Sequence, residues 1–152
     1  MDKDFFVQAM DRCSGTLFRV AWSLLRSPED CRDAMQEAAL RAWEKRGSLR
    51  NEQYFATWIT RILINECHNL LRKRKRTAPL EAADEPSVEP PDVALSLALS
   101  RLPEKYRLPL TLQYAEGMSY QEIARVLRVT ESAVRGRIHR AKEQLRKELE
   151  DA

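Results

Sequence analysis

The fold of this sequence is decided by one stretch, Ser119-Tyr-Gln-Glu-Ile-Ala-Arg-Val-Leu-Arg-Val-Thr-Glu-Ser-Ala-Val134. Ser119 and Glu122 have the spacing of a capping box, which predicts the start of a short helix. Thr130 has the side chain of an N-cap and predicts the start of a second helix after a turn at Arg128. Apolar residues fill the angle between the two helices: Ile123, Leu127, Val129 and Val134. This order is typical of a helix-turn-helix.

The final helix carries the surface that would meet DNA. Its inward side consists of apolar residues at helical spacing, Val134, Ile138, Ala141 and Leu145. Its outward side begins with Ser132, Arg135 and Gly136, where a recognition helix meets base edges and an arginine can bond a guanine with two donors. Arg137 and Arg140 lie on the flank and suit phosphates. Short helix pairs also occur in proteins that do not bind DNA, so the pattern alone leaves a structural role open.

Two further helices precede this pair, a Leu-rich one from Val93 to Leu102 and one from Pro103-Glu104 to near Gly117. Before them, residues 77–92 contain four prolines, five acids and no base, which predicts a flexible acidic linker. The linker divides the chain into residues 1–76 and residues 93–152, each long enough for one small helical domain. The predicted fold class is therefore all-α, with two small helical domains joined by the linker.

Residues 1–76 show three helical patterns. Apolar residues recur at three and four positions from Phe6 to Leu24. Ser27 and Pro28 then supply an N-cap and a first helical position for a helix from Glu29 to Arg46. A short loop to Asn51 leads to a third helix, whose apolar side runs from Phe55 to Leu70 and which continues into Arg72-Lys-Arg-Lys-Arg76.

The third helix carries a polar and basic stripe. Arg61, Asn65, His68 and Arg72 share one side of an otherwise apolar helix, and such side chains bond phosphates and base edges. Residues 45–76 hold nine basic and two acidic side chains, which favours a polyanionic ligand. Aromatic residues beside a basic groove, here Tyr54 and Trp58, can stack on unpaired bases, although ordinary packing in a core explains them equally well.

The second helix has a different character. Asp30, Asp33, Gln36, Glu37 and Arg41 broadly share one side, which suits a protein partner or a solvated surface. The sequence offers no catalytic site, because the two histidines belong to separate units and no catalytic or phosphate-loop motif occurs. We expect no cofactor and no metal, since Cys13, Cys31 and Cys67 all fit apolar stripes.

Nothing in the sequence predicts export or membrane insertion. The start of the chain lacks the basic and apolar regions of a secretion signal, and the uncharged runs are too short to span a bilayer. Three widely spaced cysteines favour a reducing compartment. We therefore expect a cytoplasmic protein.

The order of these features resembles a bacterial sigma factor of the extracytoplasmic-function type, in the sigma-70 family. The region-two resemblance lies in Ser27-Pro-Glu-Asp-Cys-Arg-Asp-Ala-Met-Gln-Glu-Ala-Ala-Leu-Arg-Ala-Trp43 and in Phe55-Ala-Thr-Trp-Ile-Thr-Arg-Ile-Leu-Ile-Asn65 with Leu70-Leu-Arg-Lys-Arg-Lys-Arg76. The region-four resemblance lies in Leu102-Pro-Glu-Lys-Tyr-Arg107, Met118-Ser-Tyr-Gln-Glu-Ile-Ala124 and Ala133-Val-Arg-Gly-Arg-Ile-His-Arg-Ala141.

The resemblance implies partners and residue roles. Core RNA polymerase would meet Asp30, Asp33, Gln36 and Glu37. The −10 promoter element would meet Arg61, Asn65, Asn69 and Arg72, with Tyr54 and the Gly47–Asn51 loop holding an extruded base. The −35 element would meet Ser132, Arg135, Gly136 and Arg137. The resemblance also implies an anti-sigma factor, and a linker that lies near the RNA exit path of polymerase.

Two other functions remain open at this stage. A stand-alone helix-turn-helix repressor would use only residues 93–152 and would need a dimer surface for paired half-sites. A structural adaptor would use the basic segments as solvated faces. One departure from the family pattern has a physical consequence: Arg128 stands in the tight turn where glycine is common. Arginine adopts a left-handed conformation only at a cost, which favours a looser turn here.

Overall fold

The computed structural model describes residues 1–77 and 93–151, and these residues form helices and turns without a β-strand. The chain divides into two compact units, Met1–Pro86 and Ser87–Ala152. The all-α prediction is confirmed. The predicted acidic linker lies, apart from Thr77, outside the described residues.

The first unit packs three helices against one another: α1 (Lys3–Leu25), α2 (Pro28–Glu44) and α3 (Phe55–Thr77). Asp2 caps α1 by accepting from the Phe5 N–H. Ser27 caps α2, as predicted, by accepting from the Asp30 N–H. Pro28 occupies the first turn of α2. The fully buried side chains come from all three helices: Leu17, Val20, Cys31, Ile59, Leu63 and Cys67.

The connection between α2 and α3 is more ordered than the predicted loop. Helix α2 ends at Glu44, two residues before the predicted end, because the chain tightens into a 3-10 turn over Arg46–Ser48. A second 3-10 turn covers Glu52–Tyr54 and is capped by Asn51. The spacing of apolar residues does not indicate the 3-10 hydrogen bonds that follow residue 44. The sequence therefore placed the end of α2 two residues too late.

An aromatic cluster ties the start of α1 to the end of α2 and the start of α3. The Phe6 ring lies 5.2 Å from the Trp43 ring and 6.1 Å from the Phe55 ring, both edge to face. Phe55 also contacts Phe5 and Trp58, at 6.0 and 5.7 Å. Such pairs add about 0.5–1.5 kcal/mol each to the burial of their area. They hold the α2–α3 connection against the body of the unit.

The second unit contains four helices: α4 (Val93–Arg101), α5 (Glu104–Glu116), α6 (Tyr120–Leu127) and α7 (Glu131–Glu150). The predicted capping box is present, with the Glu122 N–H donating to Ser119 Oγ and the Ser119 N–H to the Glu122 carboxylate, both at 3.1 Å. Thr130 caps α7 as predicted. Helix α7 packs against α4, α5 and α6, and the fully buried residues include Leu112, Ile123, Val134 and Ile138.

The turn between α6 and α7 has left-handed backbone at Arg128, with φ 57° and ψ 46°. Its N–H still bonds the Ala124 carbonyl, so the residue closes α6 as a C-cap usually does. Gly117 closes α5 in the same conformation, with φ 64°, where glycine carries no steric cost. The turn is therefore tight rather than looser, and Arg128 bears the steric cost of a left-handed residue that has a Cβ.

We predict that Arg128→Gly stabilises the second unit by up to about 1 kcal/mol, because glycine removes the clash of a Cβ at positive φ. Helix content followed by circular dichroism during urea unfolding measures this change. Tryptophan fluorescence reports the first unit separately, since all three tryptophans (Trp22, Trp43 and Trp58) lie there.

Arg128→Ala is the matched control, because it removes the same charged side chain and keeps the Cβ. The alanine variant should be no more stable than the original chain. Equal stabilisation by glycine and alanine would contradict backbone strain as the cause.

Candidate nucleic-acid and protein-binding surfaces

The start of α7 presents the predicted base-reading side chains to the outside. Ser132, Arg135 and Gly136 are all exposed. Apart from its chain neighbours and the nearby backbone of α7, no heavy atom of the described residues lies within 4 Å of the place where a Cβ would stand at Gly136. An exposed arginine next to a residue without a side chain lets a groove edge come close to the helix. The structure thus presents these three residues on one open side.

Arg135 is held in position by two neighbours that the sequence analysis missed. Its Nη2 lies 3.4 Å from Glu131 Oε1, one turn earlier on α7, and its guanidinium lies 5.5 Å from the centre of the Tyr120 ring. The spacing of four residues between Glu131 and Arg135 was visible in the sequence. The contact with Tyr120 was not, because Tyr120 belongs to α6.

The flank of α7 carries Arg137, which is half-buried, and Arg140, which is exposed. Arg140 Nη1 donates to Tyr106 Oη across 3.5 Å. That hydrogen bond lowers the pKa of the Tyr106 phenol, with smaller contributions from the charges of Lys105, Arg140 and Arg137. Further along the same helix, His139 Nε2 lies 3.2 Å from Glu143 Oε1.

The polar stripe on α3 is only partly open. Asn65, Asn69 and Arg72 are exposed, whereas Arg61 and His68 are half-buried. Arg72 donates to Asn69 Oδ1, so these two side chains form one polar unit one turn apart. The predicted residues lie on one side of α3, but their side chains differ in exposure to solvent.

The aromatic residues next to the stripe differ in exposure. Tyr54 is 46% exposed at the end of the second 3-10 turn. Trp58 is half-buried and contacts Phe55, which is itself in the core. Tyr54 therefore has the ring that is more available for stacking on a base.

Asp30 does not belong to an exposed acidic side. It is 4% exposed and forms an ion pair with Arg74, from the basic end of α3. The prediction that Asp30 shares an exposed side with Asp33 is wrong, because the end of α3 covers the start of α2. Arg41, from the same predicted side, is exposed but lies 2.5 Å from the buried Glu66 of α3.

The remaining predicted residues of α2 are exposed: Asp33, Gln36 and Glu37. Leu40 lies one turn further and is 59% exposed, the most exposed large apolar side chain in the described chain. An exposed leucine among acidic and amide side chains is typical of a protein-binding surface. Counting apolar residues at helical spacing does not find it, because Leu40 falls outside the buried side.

The cysteines are structural in position. Cys31 and Cys67 are buried and Cys13 is half-buried. Burial raises the pKa of the Cys31 thiol to about 11, so it stays protonated at neutral pH. In residues 1–77 and 93–151 no three metal-ligating side chains come together. None of the described helices is both long and apolar enough to cross a membrane.

Two family models match this chain: "Sigma-70 region 2" over residues 9–77 and "Sigma-70, region 4" over residues 92–145. The ECF RNA polymerase sigma factor SigW of Bacillus subtilis is 31% identical, over 99% of this chain and 91% of SigW. The ECF RNA polymerase sigma factor SigM of Mycobacterium tuberculosis is 35% identical, over 95% of this chain and 76% of SigM.

Two solved structures are also similar. The sigma factor RpoE from Bartonella quintana, in complex with the anti-sigma factor NepR, superposes with a TM-score of 0.87 at 25% identity, over 98% of each chain. CnrH, in complex with the cytosolic domain of CnrY, gives a TM-score of 0.74 at 26% identity, over 96% of this chain and 88% of CnrH.

The pair of Asp30 and Arg74 predicts an asymmetric response to mutation. Arg74→Gln should destabilise the first unit by about 1–3 kcal/mol, because it leaves a buried carboxylate without its cation. Asp30→Asn should lower the free energy of unfolding by less than about 1 kcal/mol. Arg74 is half-exposed and can be solvated by water, so the main loss is the favourable interaction of an acid with the first turn of α2. Urea unfolding followed by tryptophan fluorescence measures both.

The double variant Asp30→Asn/Arg74→Gln is the control for this pair. It should be as stable as Asp30→Asn alone, because no buried charge remains once the acid is replaced. Equal costs for the two single variants would contradict the proposed asymmetry.

Proposed function

This chain belongs to the extracytoplasmic-function sigma factors of the sigma-70 family, and from that membership we propose how its two units choose and open a promoter. Helix α2 binds core RNA polymerase, α3 reads and opens the −10 element, and α7 reads the −35 element. The observation that supports this most is that exposed arginine side chains, of the type that bonds phosphates and base edges, occur in both units, on α3 and at the start of α7. A sigma factor needs both surfaces in one chain.

The polymerase-binding surface that we propose consists of Asp33, Gln36 and Glu37, together with Leu40. Exposed acids supply orientation and a fast encounter with a basic partner, and an exposed leucine supplies area to bury. Asp30 acts differently: because it is buried against Arg74, it holds the basic end of α3 rather than touching polymerase.

The −10 surface that we propose uses Arg61, Asn65, Asn69 and Arg72 on α3. Tyr54 and the Gly47–Asn51 loop then hold one base that has left the stack, with Trp58 supporting the same edge. Unstacking and unpairing a base costs a few kcal/mol, and stacking on an aromatic ring returns about 1–3 kcal/mol per base. Contacts to the backbone supply the rest, so strand opening needs no ATP and the protein performs no catalysis of its own.

The −35 surface that we propose is the start of α7. Arg135 bonds a base edge in the major groove, and Ser132 and Gly136 allow the close approach. Arg137 and Arg140 contact phosphates and set the position of the helix along the groove. The pairing of Arg135 with Glu131 and Tyr120 supports this role, because an arginine that is already ordered loses less entropy on binding.

The acidic linker and an inhibitor complete the proposal. Residues 77–92, with five acids and no base, lie near the RNA exit path of polymerase, where their charge takes the place of nucleic acid. RpoE and CnrH are each solved in complex with another protein, named as an anti-sigma factor for RpoE. We propose that an anti-sigma factor likewise covers the working surfaces of this chain, which acts in the cytoplasm.

A stand-alone repressor is not favoured. A repressor would use only the helix-turn-helix, so it does not explain why residues 9–77 match the region 2 family. A structural adaptor leaves the open arginine of α7 equally unexplained.

Run-off transcription with purified core RNA polymerase and a pool of promoter fragments tests the proposal. Promoter-specific transcripts should appear with this chain and disappear with Asp33→Arg, because a basic side chain on α2 repels a basic partner. Arg135→Ala should lower transcription at the same promoter about 5- to 150-fold, by removing a base contact worth about 1–3 kcal/mol.

Matched substitutions elsewhere separate these effects from general damage. Asp11→Arg reverses an exposed acid on α1, and Arg146→Ala removes an exposed arginine further along α7. Both should transcribe normally. If no promoter gives a transcript and the chain does not co-elute with core polymerase on a sizing column, the proposed function fails.

The basic end of α3 gives a second prediction, measured by binding of the complex with core polymerase to a promoter with an unpaired −10 segment. Arg76→Gln should reduce the slope of log affinity against log salt by about 0.7, the value for one lost contact to single-stranded DNA. Arg74→Gln should leave the slope unchanged, because Arg74 is engaged with Asp30. Equal reductions would show that Arg74 leaves Asp30 to bind DNA.

A further inference from the structure

A basic cluster joins the start of α5 to the middle of α7. Arg140 Nη1 donates to Tyr106 Oη across 3.5 Å, and Lys105 Nζ lies 5.6 Å from the centre of the same ring. The charge of Arg137, one turn before Arg140, also acts on the phenol. Two cations from different helices therefore lie next to one tyrosine, with a third cation one turn away on α7, and two of the four side chains belong to a helix outside the helix-turn-helix.

The cluster keeps its positive charge. A phenol oxygen holds the guanidinium of Arg140 in place without neutralising it, whereas a carboxylate in the same place would cancel the charge. Within residues 1–77 and 93–151, neither Lys105 nor Arg137 forms an ion pair with an acid. The acid whose charge acts on Arg140 is Glu143, and its carboxylate lies 3.2 Å from His139.

The cluster lies beside the base-reading surface rather than on it. A rise of 1.5 Å per residue puts Arg140 about 7.5 Å beyond Arg135 along α7. A helix that enters the major groove by its first turns has the sugar-phosphate backbone beside its later turns. Cations in that place meet phosphates, which accept hydrogen bonds from lysine, arginine and tyrosine alike.

We propose that Lys105, Tyr106, Arg137 and Arg140 form a phosphate clamp that grips the DNA backbone beside the −35 major groove. Lys105 contacts the phosphate from α5, and Tyr106 is a positioning residue that orders Arg140. The clamp rests on the proposed function, since it needs α7 to lie in that groove. It extends the DNA-binding surface to α5 and fixes the register of Arg135 on the bases without reading sequence.

The test measures binding of the complex with core polymerase to a promoter duplex at several salt concentrations. Lys105→Gln should reduce the slope of log affinity against log salt by about 0.9, the value for one phosphate contact on duplex DNA. Lys105→Arg should restore the slope. Tyr106→Phe should keep the slope and weaken binding about threefold, because Arg140 keeps its charge but loses its order.

A scan with single methylphosphonates, which carry no charge, locates the contact along the −35 backbone. A methylphosphonate at one position should weaken binding of the original chain. The same methylphosphonate should not weaken binding of the Lys105→Gln variant, because that variant already lacks the lysine that contacts this phosphate. Lys147→Gln, an exposed lysine about two turns beyond Arg140, is the matched control and should behave as the original chain.

Two other outcomes are distinct. If Lys105→Gln leaves the slope unchanged while Arg135→Ala still weakens promoter binding, the clamp is overturned and the proposed function stands; the cluster then suits an acidic protein surface instead. If neither the original chain nor any variant prefers the promoter duplex over a scrambled duplex in complex with polymerase, the proposed function fails and the clamp fails with it.

Discussion

The first unit depends on pairing two buried acids, Asp30 on α2 and Glu66 on α3, with arginines from the facing helix. Leaving such a carboxylate without its cation costs about 1–3 kcal/mol, so the folded unit favours the pairs of Arg74 with Asp30 and of Arg41 with Glu66. One pair has its acid on α2 and the other has its acid on α3. Together the two pairs favour one position of α2 relative to α3, both along the helix axes and in rotation about them. Apolar residues in place of either pair would also be buried, but they would not favour one relative position of the two helices in the same way.

This constraint decides which basic side chains of the first unit remain for a polyanion. The segment Arg72–Arg76 has five positive charges in the sequence, and Arg74 is paired with the buried Asp30. Arg72 bonds the neutral side chain of Asn69, which leaves its charge uncancelled. The rotation of α3 that lets Arg74 reach the buried Asp30 also leaves Asn65, Asn69 and Arg72 exposed. Ion pairs within the unit therefore orient the polar stripe before any ligand is present. A ligand that binds the stripe then loses less conformational entropy, because the helix is already in place.

The second unit orders its arginines in another way. Arg135 lies over the Tyr120 ring and Arg140 donates to the Tyr106 hydroxyl, so aromatic side chains from neighbouring helices place both guanidinium groups. Aromatic rings and phenols attract cations without cancelling their charge. The first unit fixes Arg74 with a buried acid. The second unit places its two arginines with tyrosines from neighbouring helices and, at Arg135, also with the exposed Glu131 of the same helix.

The sequence by itself determined what depends on neighbours within four residues. The capping box at Ser119, the caps at Ser27 and Thr130 and the outward side of α7 are all local, so spacing and residue type predicted them. The left-handed backbone at Arg128 is local too, but the sequence favoured a looser turn there. Only the tertiary structure decided which residues of different helices meet. Helical phase puts Asp30 and Glu37 on one side of α2, yet the end of α3 covers the first and leaves the second open. Likewise the partners of Arg135 and Arg140 on α6 and α5 depend on how the helices cross, and crossing geometry is set by the packing of the whole unit.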